Sequence, residues 1–144
     1  MILAVFLSAM VLSACGQKEN VPSNVKTAFE QKFPDATKID WDKENATVWE
    51  AEFKMNSNEY SVNFSSDGKW LETEYKIKES DLPNQIKSTI DTKFGDYNIE
   101  DAEVLETTAG KVFEFQMEKD GLGMEIVISP DGEVVKKEVK KEND

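Results

Sequence analysis

The sequence repeats itself once along its length, and this repetition constrains the fold more than any single motif does. The apolar positions Val21, Val25, Phe29 and Phe33 recur 61 residues later as Leu82, Ile86, Ile90 and Phe94. Further along, the segment 48–53 corresponds to the segment 112–117 at an offset of 64, so the second copy carries three additional residues before these strands. An internal repetition of this kind predicts two similar structural units.

Each copy begins with a predicted helix. The apolar residues lie four positions apart, which places them on one face of a helix. Phe33-Pro34 should end the first helix, because proline disfavours helical geometry in the residue before it. In the second copy, Ser80 or Asp81 is expected to cap the start of the helix, and Gly95 is expected to end it.

After each helix the apolar period changes from four to two, which is typical of strands with one buried face. Turn residues at 56–58 and at Asp67-Gly68 divide the first alternating stretch into successive antiparallel strands. In the second copy we predict a helix near 83–94 and strands near 100–106, 111–118, 123–129 and 133–140. The inward positions expected to form the core are Trp49, Phe53, Tyr60, Phe64, Phe113, Phe115, Met117, Ile126 and Ile128.

These patterns predict an α+β fold of two tandem repeats, each a helix plus four antiparallel strands. Both helices should pack on one face of an open antiparallel sheet, which leaves the other face uncovered. The first repeat is expected at 21–79 and the second at 80–141. No linker rich in Pro, Gly or Ser separates the two, so their sheets should join or abut.

The only cysteine, Cys15, follows an apolar run over residues 1–12 that is too short to span a bilayer. Leu12-Ser13-Ala14-Cys15 resembles a bacterial lipobox, in which the cysteine is lipidated and becomes the mature N-terminus. We therefore predict a signal peptide at 1–14, a lipid anchor on Cys15 and a tether at 15–20. No Lys or Arg precedes the apolar run, so either the true start lies upstream or the signal is atypical. The expected location is the cell envelope of a Gram-negative bacterium, on the periplasmic side or at the outer-membrane surface.

The charge balance limits the classes of partner. The net charge is −12, which argues against nucleic acid and against anionic lipid as electrostatic partners. It is compatible with a basic partner, with cations or with solubility alone. Histidine is absent, which removes the Ser-His-Asp and Cys-His catalytic sets and the common zinc and haem ligand sets.

The sequence resembles the PepSY-like family, which is also described as beta-lactamase-inhibitor-like. The resemblance rests on the Val-Pro helix at 21–34, the Trp-Glu-Ala-Glu-Phe strand at 49–53 and the segment 60–74, and it extends over about residues 20–140. Members are mostly secreted or lipid-anchored bacterial proteins. The resemblance implies tandem α/β repeats with an open sheet and a role without catalysis. The family name refers to an inhibitor that grips its target with the exposed sheet face.

The uncovered sheet face holds the candidate binding residues. In the first repeat its expected positions are acidic, with one tryptophan, and in the second they are partly apolar, which is typical of a binding patch. The alternatives are that the apolar residues are ordinary strand formers and that Trp70 only packs locally at the sheet edge. The predicted partner-binding residues are Trp70, Glu72, Glu74, Glu50, Glu52, Leu105, Val112, Val127 and Val134.

No residue set indicates catalysis, a metal or a cofactor. The pairs formed by Glu50 with Glu52 and by Glu72 with Glu74 project from single strands of a flat sheet, whereas a glycosidase places two carboxyls around a cleft. The segment that begins at Asp40 starts like a calcium loop, but it lacks the glycine and the final bidentate acid of such loops. We predict no catalytic residues, no metal ligands and no cofactor.

The sequence therefore predicts a non-enzymatic lipoprotein of the cell envelope that binds a protein or peptide of the envelope or medium through its exposed sheet face. One alternative is an inhibitor of a secreted hydrolase of the peptidase or beta-lactamase type. Another is an acidic envelope component that associates with cations. Contact with the membrane is expected through the N-terminal lipid only.

Overall fold

The computed structural model describes residues 20–140, which form an α+β fold with two helices and an eight-stranded sheet. The predicted lipidation site Cys15 lies outside the described residues. The elements are α1 (Ser23–Lys32), β1 (Thr37–Asn45), β2 (Val48–Met55), β3 (Asn58–Ser65), β4 (Trp70–Lys76), a 3-10 turn (Glu79–Asp81), α2 (Asn84–Phe94), β5 (Asn98–Thr107), β6 (Gly110–Lys119), β7 (Leu122–Ile128) and β8 (Val134–Lys140).

The eight strands form one antiparallel sheet in which each strand pairs with the next along the chain. The edges are β1 and β8, so the sheet is open. The two halves join through β4 and β5, where Glu74 lies opposite Leu105 and Tyr75 lies opposite Val104. The sheet therefore continues across the junction, as the absence of a linker predicted.

One face of this sheet carries the core. The register places Phe53, Tyr60, Tyr75, Val104, Phe113 and Ile128 opposite one another in a single row across β2 to β7. Helix α1 buries Val25 and Phe29 against the β2–β3 part of this face, and α2 buries Ile86 and Ile90 against the β5–β7 part. Both helices thus cover the same face, and every predicted core residue packs in one of the two clusters.

The helix ends differ in detail from the prediction. Ser80 and Asp81 do not cap α2, because they lie in the 3-10 turn and α2 starts after Pro83 without a side-chain cap. Gly95 does follow α2, but with a helical φ of −60° rather than a left-handed conformation.

A β-bulge in β4 corrects the predicted position of Trp70. Phe64 lies opposite Trp70 while Asn63 lies opposite Glu72, so Leu71 is an extra residue without a partner across the pair. The bulge shifts the alternation by one position. Trp70 therefore lies on the helix-covered face, where it packs against the core around α1, and Leu71 is exposed instead.

The same irregularity occurs in β8 and corrects Val134. Ile128 lies opposite Val134 while Val127 lies opposite Lys136, so Val135 is the extra residue. Val134 packs against the core around α2, and Val135 is half exposed. The prediction that Trp70 and Val134 point away from the helices is wrong for one shared reason, because strict alternation does not hold through a bulge.

Candidate functional site

The open face, meaning the sheet face opposite the helices, holds six of the nine predicted binding residues in accessible or half-buried positions. Its first row places Glu50, Asn63 and Glu72 opposite one another on β2, β3 and β4. The carboxylate of Glu72 accepts a hydrogen bond from Asn63 Nδ2 at 2.8 Å. Ser61 Oγ donates to Glu50 Oε1. This part of the face is built from acidic and small polar side chains.

The neighbouring row runs through Glu52, Ser61, Glu74, Leu105 and Val112 on five successive strands. Its first part is acidic and its last two members are aliphatic and half-buried. The boundary falls between β4 and β5, at the junction of the two halves. An acidic surface and an apolar surface thus meet at the centre of the open face.

Four carboxylates converge at this centre, and we call them the central cluster: Glu72, Glu74, Glu103 and Glu114. Burial raises the pKa of Glu74 to about 8, and a hydrogen bond with the Glu103 carboxyl and the negative charges of the other three add to this effect. A hydrogen bond between two carboxyl groups requires a proton on one of them. With a pKa of about 8, the Glu74 carboxyl is mostly protonated at neutral pH and can donate this proton.

Other carboxylates on the face are perturbed in the same direction. Burial raises the pKa of Glu114, with the negative charges of Glu125 and Glu103 next in importance. Burial and a hydrogen bond with Glu44 raise the pKa of Glu50. The common physical cause is that negative charges share a partly desolvated surface with too few cations to balance them.

The lysines near the centre are engaged elsewhere. Lys76 Nζ lies 2.7 Å from Asp101 Oδ2, and Lys136 Nζ lies 2.8 Å from Glu125 Oε1. Within residues 20–140, no lysine nitrogen lies within 4.0 Å of a carboxylate of the central cluster. The cluster therefore has no ion pair of its own among these residues, although Lys76 lies directly opposite Glu103 and the charge of Lys136 lowers the pKa of Glu114. No element of the described chain covers this surface.

Val127 lies on the open side of the sheet, as predicted, but it is not accessible. Its exposed fraction is 0%, and that of Glu125 on the same strand is 4%. Lys136, directly opposite Val127, reaches over to bond Glu125, and Gln116 Nε2 donates to the same carboxylate at 3.3 Å. Neighbouring side chains therefore close over this part of the face, and Val127 cannot contact a partner as the structure stands.

On the helix-covered face, Trp70 makes contacts that stabilise the fold. Lys32 Nζ of α1 lies 4.0 Å above the centre of its ring, which is a cation–π contact. Its Nε1 donates to Thr73 Oγ1 at 2.8 Å. Two adjacent apolar residues, Trp70-Leu71, break the alternation of the strand, and this signal could have indicated the bulge.

Glu103 is the functional candidate that the sequence reasoning missed. It lies two positions before Leu105 on the same strand, so the alternation already placed it on the open face. Its importance comes from a diagonal contact with Glu74 across β4 and β5, and such a contact depends on strand register. The register follows from the turn lengths and could not be read from one strand alone.

Two further observations bear on the chemistry. Among residues 20–140, the Asp and Glu side chains form no group of three or more with a geometry that could hold a metal ion. Over the same residues, neither helix is long and apolar enough to cross a membrane.

Comparison with sequence families gives one match. The sequence model of the PepSY-like family, described as beta-lactamase-inhibitor-like, matches residues 17–56 and 47–136. Together these segments cover most of the chain. A comparison with curated protein sequences gives no match.

Several solved structures share the fold. A BLIP-like protein from Bacteroides fragilis superposes with a TM-score of 0.80 at 19% identity, over 89% of this chain and 92% of that one. A DUF2874 family protein from Bacteroides ovatus gives a TM-score of 0.77 at 17% identity, over 84% and 89% of the two chains. A protein from Bacteroides eggerthii, provisionally described as periplasmic, gives a TM-score of 0.76 at 20% identity, over 84% of this chain and 90% of that one. At these identities the likeness shows a shared fold.

Proposed function

The chain belongs to the PepSY-like, beta-lactamase-inhibitor-like family, and from this premise we propose that it is a non-enzymatic lipoprotein of the cell envelope that binds a protein or peptide partner through the open face of its sheet. We also infer that its two halves are tandem repeats, since the helix positions recur at a fixed offset and each helix precedes four strands.

The observation that carries this proposal is the unpartnered open face. Helices α1 and α2 cover the opposite face, and no element of the described chain covers this one. At its centre the aliphatic pair Leu105 and Val112 lies beside Glu74. Apolar side chains rimmed by charged groups on a broad surface are typical of protein interaction sites.

The envelope location is supported by two observations. Leu12-Ser13-Ala14-Cys15 has the residue pattern of a lipidation site after an apolar run. A protein with a similar fold from Bacteroides eggerthii is provisionally described as periplasmic. Replacement of Cys15 by serine should move the protein from the membrane fraction to the soluble fraction or leave it unprocessed.

A binding role fits the carboxylates better than catalysis does. General acid–base catalysis usually places its groups in a pocket that holds the substrate within hydrogen-bond reach, whereas these carboxylates lie on an open sheet face. Glu72 and Glu74 project in the same direction from one strand, and Glu50 and Glu52 do likewise. Such parallel side chains present charge to a surface rather than to a single reacting bond.

The proposal can be tested with one substitution and a matched control. Leu105→Lys places a charge in the aliphatic part of the open face. Leu122→Lys makes the same change at an exposed leucine at the start of β7, away from this face. Both variants should stay folded by circular dichroism. A partner captured from envelope extract by the wild-type protein should be lost with Leu105→Lys and retained with Leu122→Lys. Equal retention by both variants would remove the open face as the binding site.

A second candidate function is inhibition of a secreted hydrolase. The observation that favours it is the two-residue turn between β2 and β3, where Asn56 and Ser57 have φ values of 52° and 67° and are exposed. A tight turn of this type holds a fixed shape that can enter an active-site cleft. If the captured partner is a hydrolase, its activity should fall on stoichiometric addition of the protein. Asn56→Gly keeps the positive φ of the turn but removes the side chain, so it should relieve the inhibition while leaving the rest of the face intact.

A further inference from the structure

The sheet ends in two strand edges that differ in charge. Within residues 20–140, β1 and β8 each pair with one neighbouring strand, and no other described strand lies against their outer edges. Such an edge presents backbone N–H and C=O groups to which a further strand can bind. Strand β1 carries three acidic residues and two lysines, whereas β8 carries three lysines and one glutamate.

The internal junction shows how edges of this kind join. There β4, the last strand of the first half, pairs antiparallel with β5, the first strand of the second half. At the free edges, β8 is the last strand of the second half and β1 is the first strand of the first half. Because neighbouring strands alternate in direction, β1 of a second copy would run antiparallel to β8 when both copies keep their helices on the same face.

Strand β8 also keeps the shape of β4. The bulges of the two strands lie opposite equivalent steps of their partners, between Asn63 and Phe64 for β4 and between Val127 and Ile128 for β8. A bulge often protects an edge strand from further pairing. Strand β4 has the same bulge and still pairs with β5, so this bulge is compatible with a paired edge.

An ion pair that crosses the junction has a counterpart in the sequence of the free edges. Lys76 Nζ of β4 lies 2.7 Å from Asp101 Oδ2 of β5. At the equivalent positions, 64 residues after Lys76 and 61 residues before Asp101, the sequence has Lys140 in β8 and Asp40 in β1. The two free edges therefore repeat the charge pattern found where the halves join.

An exposed apolar side chain of β8 has a matching place on β1. Val139, which is 54% exposed, holds the position equivalent to Tyr75, and Tyr75 lies opposite Val104 at the junction. The equivalent of Val104 on β1 is Lys43, and both Val139 and Lys43 lie on the helix-covered face. In this register Val139 is diagonal to the half-buried Trp41, so pairing would cover two apolar side chains.

Resting on the inferred tandem repeats, we propose that the protein associates head to tail with further copies of itself, the outer edge of β8 in one copy pairing with the outer edge of β1 in the next. A second copy is the occupant because its β1 matches β8 in direction and charge as β5 matches β4. One contact opposes the pairing, since Glu138 and Glu44 lie near each other in this register. The interface is heterologous, so association continues beyond the dimer.

The register can be tested by disulfide cross-linking in the full chain. Val139→Cys and Lys43→Cys place thiols at positions that lie opposite each other in the proposed pairing, within reach of a disulfide. A mixture of the two single variants should give covalent dimers under mild oxidation, and the double variant should give a ladder of longer oligomers. The matched control mixes Lys43→Cys with Glu79→Cys, an exposed position between β4 and α2, and should give no more cross-linking than the wild type, which retains Cys15.

Sedimentation measures the association without engineered thiols. Asp40→Lys reverses the charge at the position equivalent to Asp101, and it should weaken association about fivefold. Glu79→Lys makes the same change in charge far from both edges along the sheet, and it should not weaken association. Equal weakening by the two variants would show a response to net charge and would overturn the proposed pairing.

Two cross-linking results would also overturn the proposal. Covalent dimers from Val139→Cys alone, at the yield of the mixture, would show that two β8 edges pair with each other and close a dimer. No cross-linking above the wild-type level, with every variant folded by circular dichroism, would show that the edges stay unpaired.

These failures are separable from a failure of the proposed function. Leu105 lies inside the sheet on the open face, so Leu105→Lys added to the double-cysteine variant should leave the ladder unchanged. If no ladder forms but Leu105→Lys abolishes capture of the partner, only the self-association is wrong. If the ladder forms but Leu105→Lys leaves capture intact, the self-association holds and the partner uses another surface.

Discussion

The two halves of the molecule share an architecture but fill it with different side chains. In the first half Phe29 lies within 5.1–5.5 Å of the rings of Phe33, Trp41 and Phe53, measured between ring centres. In the second half the core cluster around α2 contains three buried phenylalanines among nine aliphatic or thioether residues, and the position equivalent to Phe29 is Ile90. The same helix-plus-sheet frame thus accepts a core that is mostly aromatic or one that is mostly aliphatic. What it needs at each position is apolar volume rather than a particular residue.

The open faces of the two halves also differ. On the first half the carboxylates of Glu50 and Glu52 face outward with small polar neighbours. On the second half, side chains close over Val127 and Glu125 until they are almost fully buried. The accessible part of the open face therefore excludes this region of β7, which contributes to the stability of the sheet instead.

The largest expected effect tests the comparison of the two cores. Phe29→Ala should lower the free energy of unfolding by about 3–5 kcal/mol, and Ile90→Ala by about 2–5 kcal/mol. The aromatic truncation should be the more damaging, because it removes a ring that contacts several others. Urea denaturation of both variants gives the two values, and a larger loss for Ile90→Ala would contradict this ranking.

The continuous sheet also predicts how the two variants unfold. Because β4 and β5 pair across the junction, both variants should unfold in a single cooperative transition. Calorimetry should show one peak in which the van't Hoff and calorimetric enthalpies agree. Two resolved peaks would mean that the halves unfold independently.

Much of this fold could be predicted from the sequence, because helical and strand periods are local patterns. The helix faces, the inward strand positions such as Phe53 and Phe115, and the open sheet follow from them. The prediction that Trp70 and Val134 point outward was wrong, since each lies directly before the extra residue of a bulge that alternation alone does not reveal. The Glu74–Glu103 contact was not predicted either, because it requires the register between strands on both sides of the junction.

The second prediction compares one ion pair from each half. In the second half Lys136 bonds Glu125, whose side chain is 5% exposed, whereas in the first half Lys54 bonds a largely exposed Glu59. Lys136→Ala should cost about 3 kcal/mol because it removes the cation that bonds a buried carboxylate. Lys54→Ala should cost about 1 kcal/mol or less. Similar losses in chemical denaturation would show that Gln116 or solvent compensates Glu125.

The third prediction compares two glycine turns, of which only one contacts a helix. Gly132 has a φ of +86°, and a Cβ added there would lie 2.9 Å from Thr89 Oγ1 of α2. Gly121 also has a positive φ, of +80°, but a Cβ there would meet nothing within 4 Å. Gly121→Ala should therefore cost about 1–2 kcal/mol for the conformation alone, and Gly132→Ala should cost more. Equal melting temperatures for the two variants would show that the turn moves off α2 without loss.

The smallest expected effect concerns Glu74 and Glu59, two carboxylates of the open face whose pKa values shift in opposite directions. The pKa of Glu74 is raised from its ordinary 4.5 to about 8, so between these values the native state holds a proton that the unfolded chain has released. This contribution makes stability fall as the pH rises from about 4.5 to about 8. Glu59 behaves oppositely, because its hydrogen bond with Lys54 lowers its pKa and the resulting stabilisation is lost as the pH falls.

Glu74→Gln should therefore flatten the dependence of melting temperature on pH in that window. At and above about pH 8 the variant should be more stable than the wild type by about 1 kcal/mol, a value reduced for the solvent that reaches this partly exposed carboxyl, and near pH 4 the difference should vanish. Glu59→Gln, on the same face, should instead lower stability slightly at neutral pH. Thermal melts of the three proteins across the pH range measure both effects. If the two variants shift in the same direction at pH 8, the repulsion at the junction is not localised in the Glu74–Glu103 pair, and the open face carries its negative charge without a particular centre.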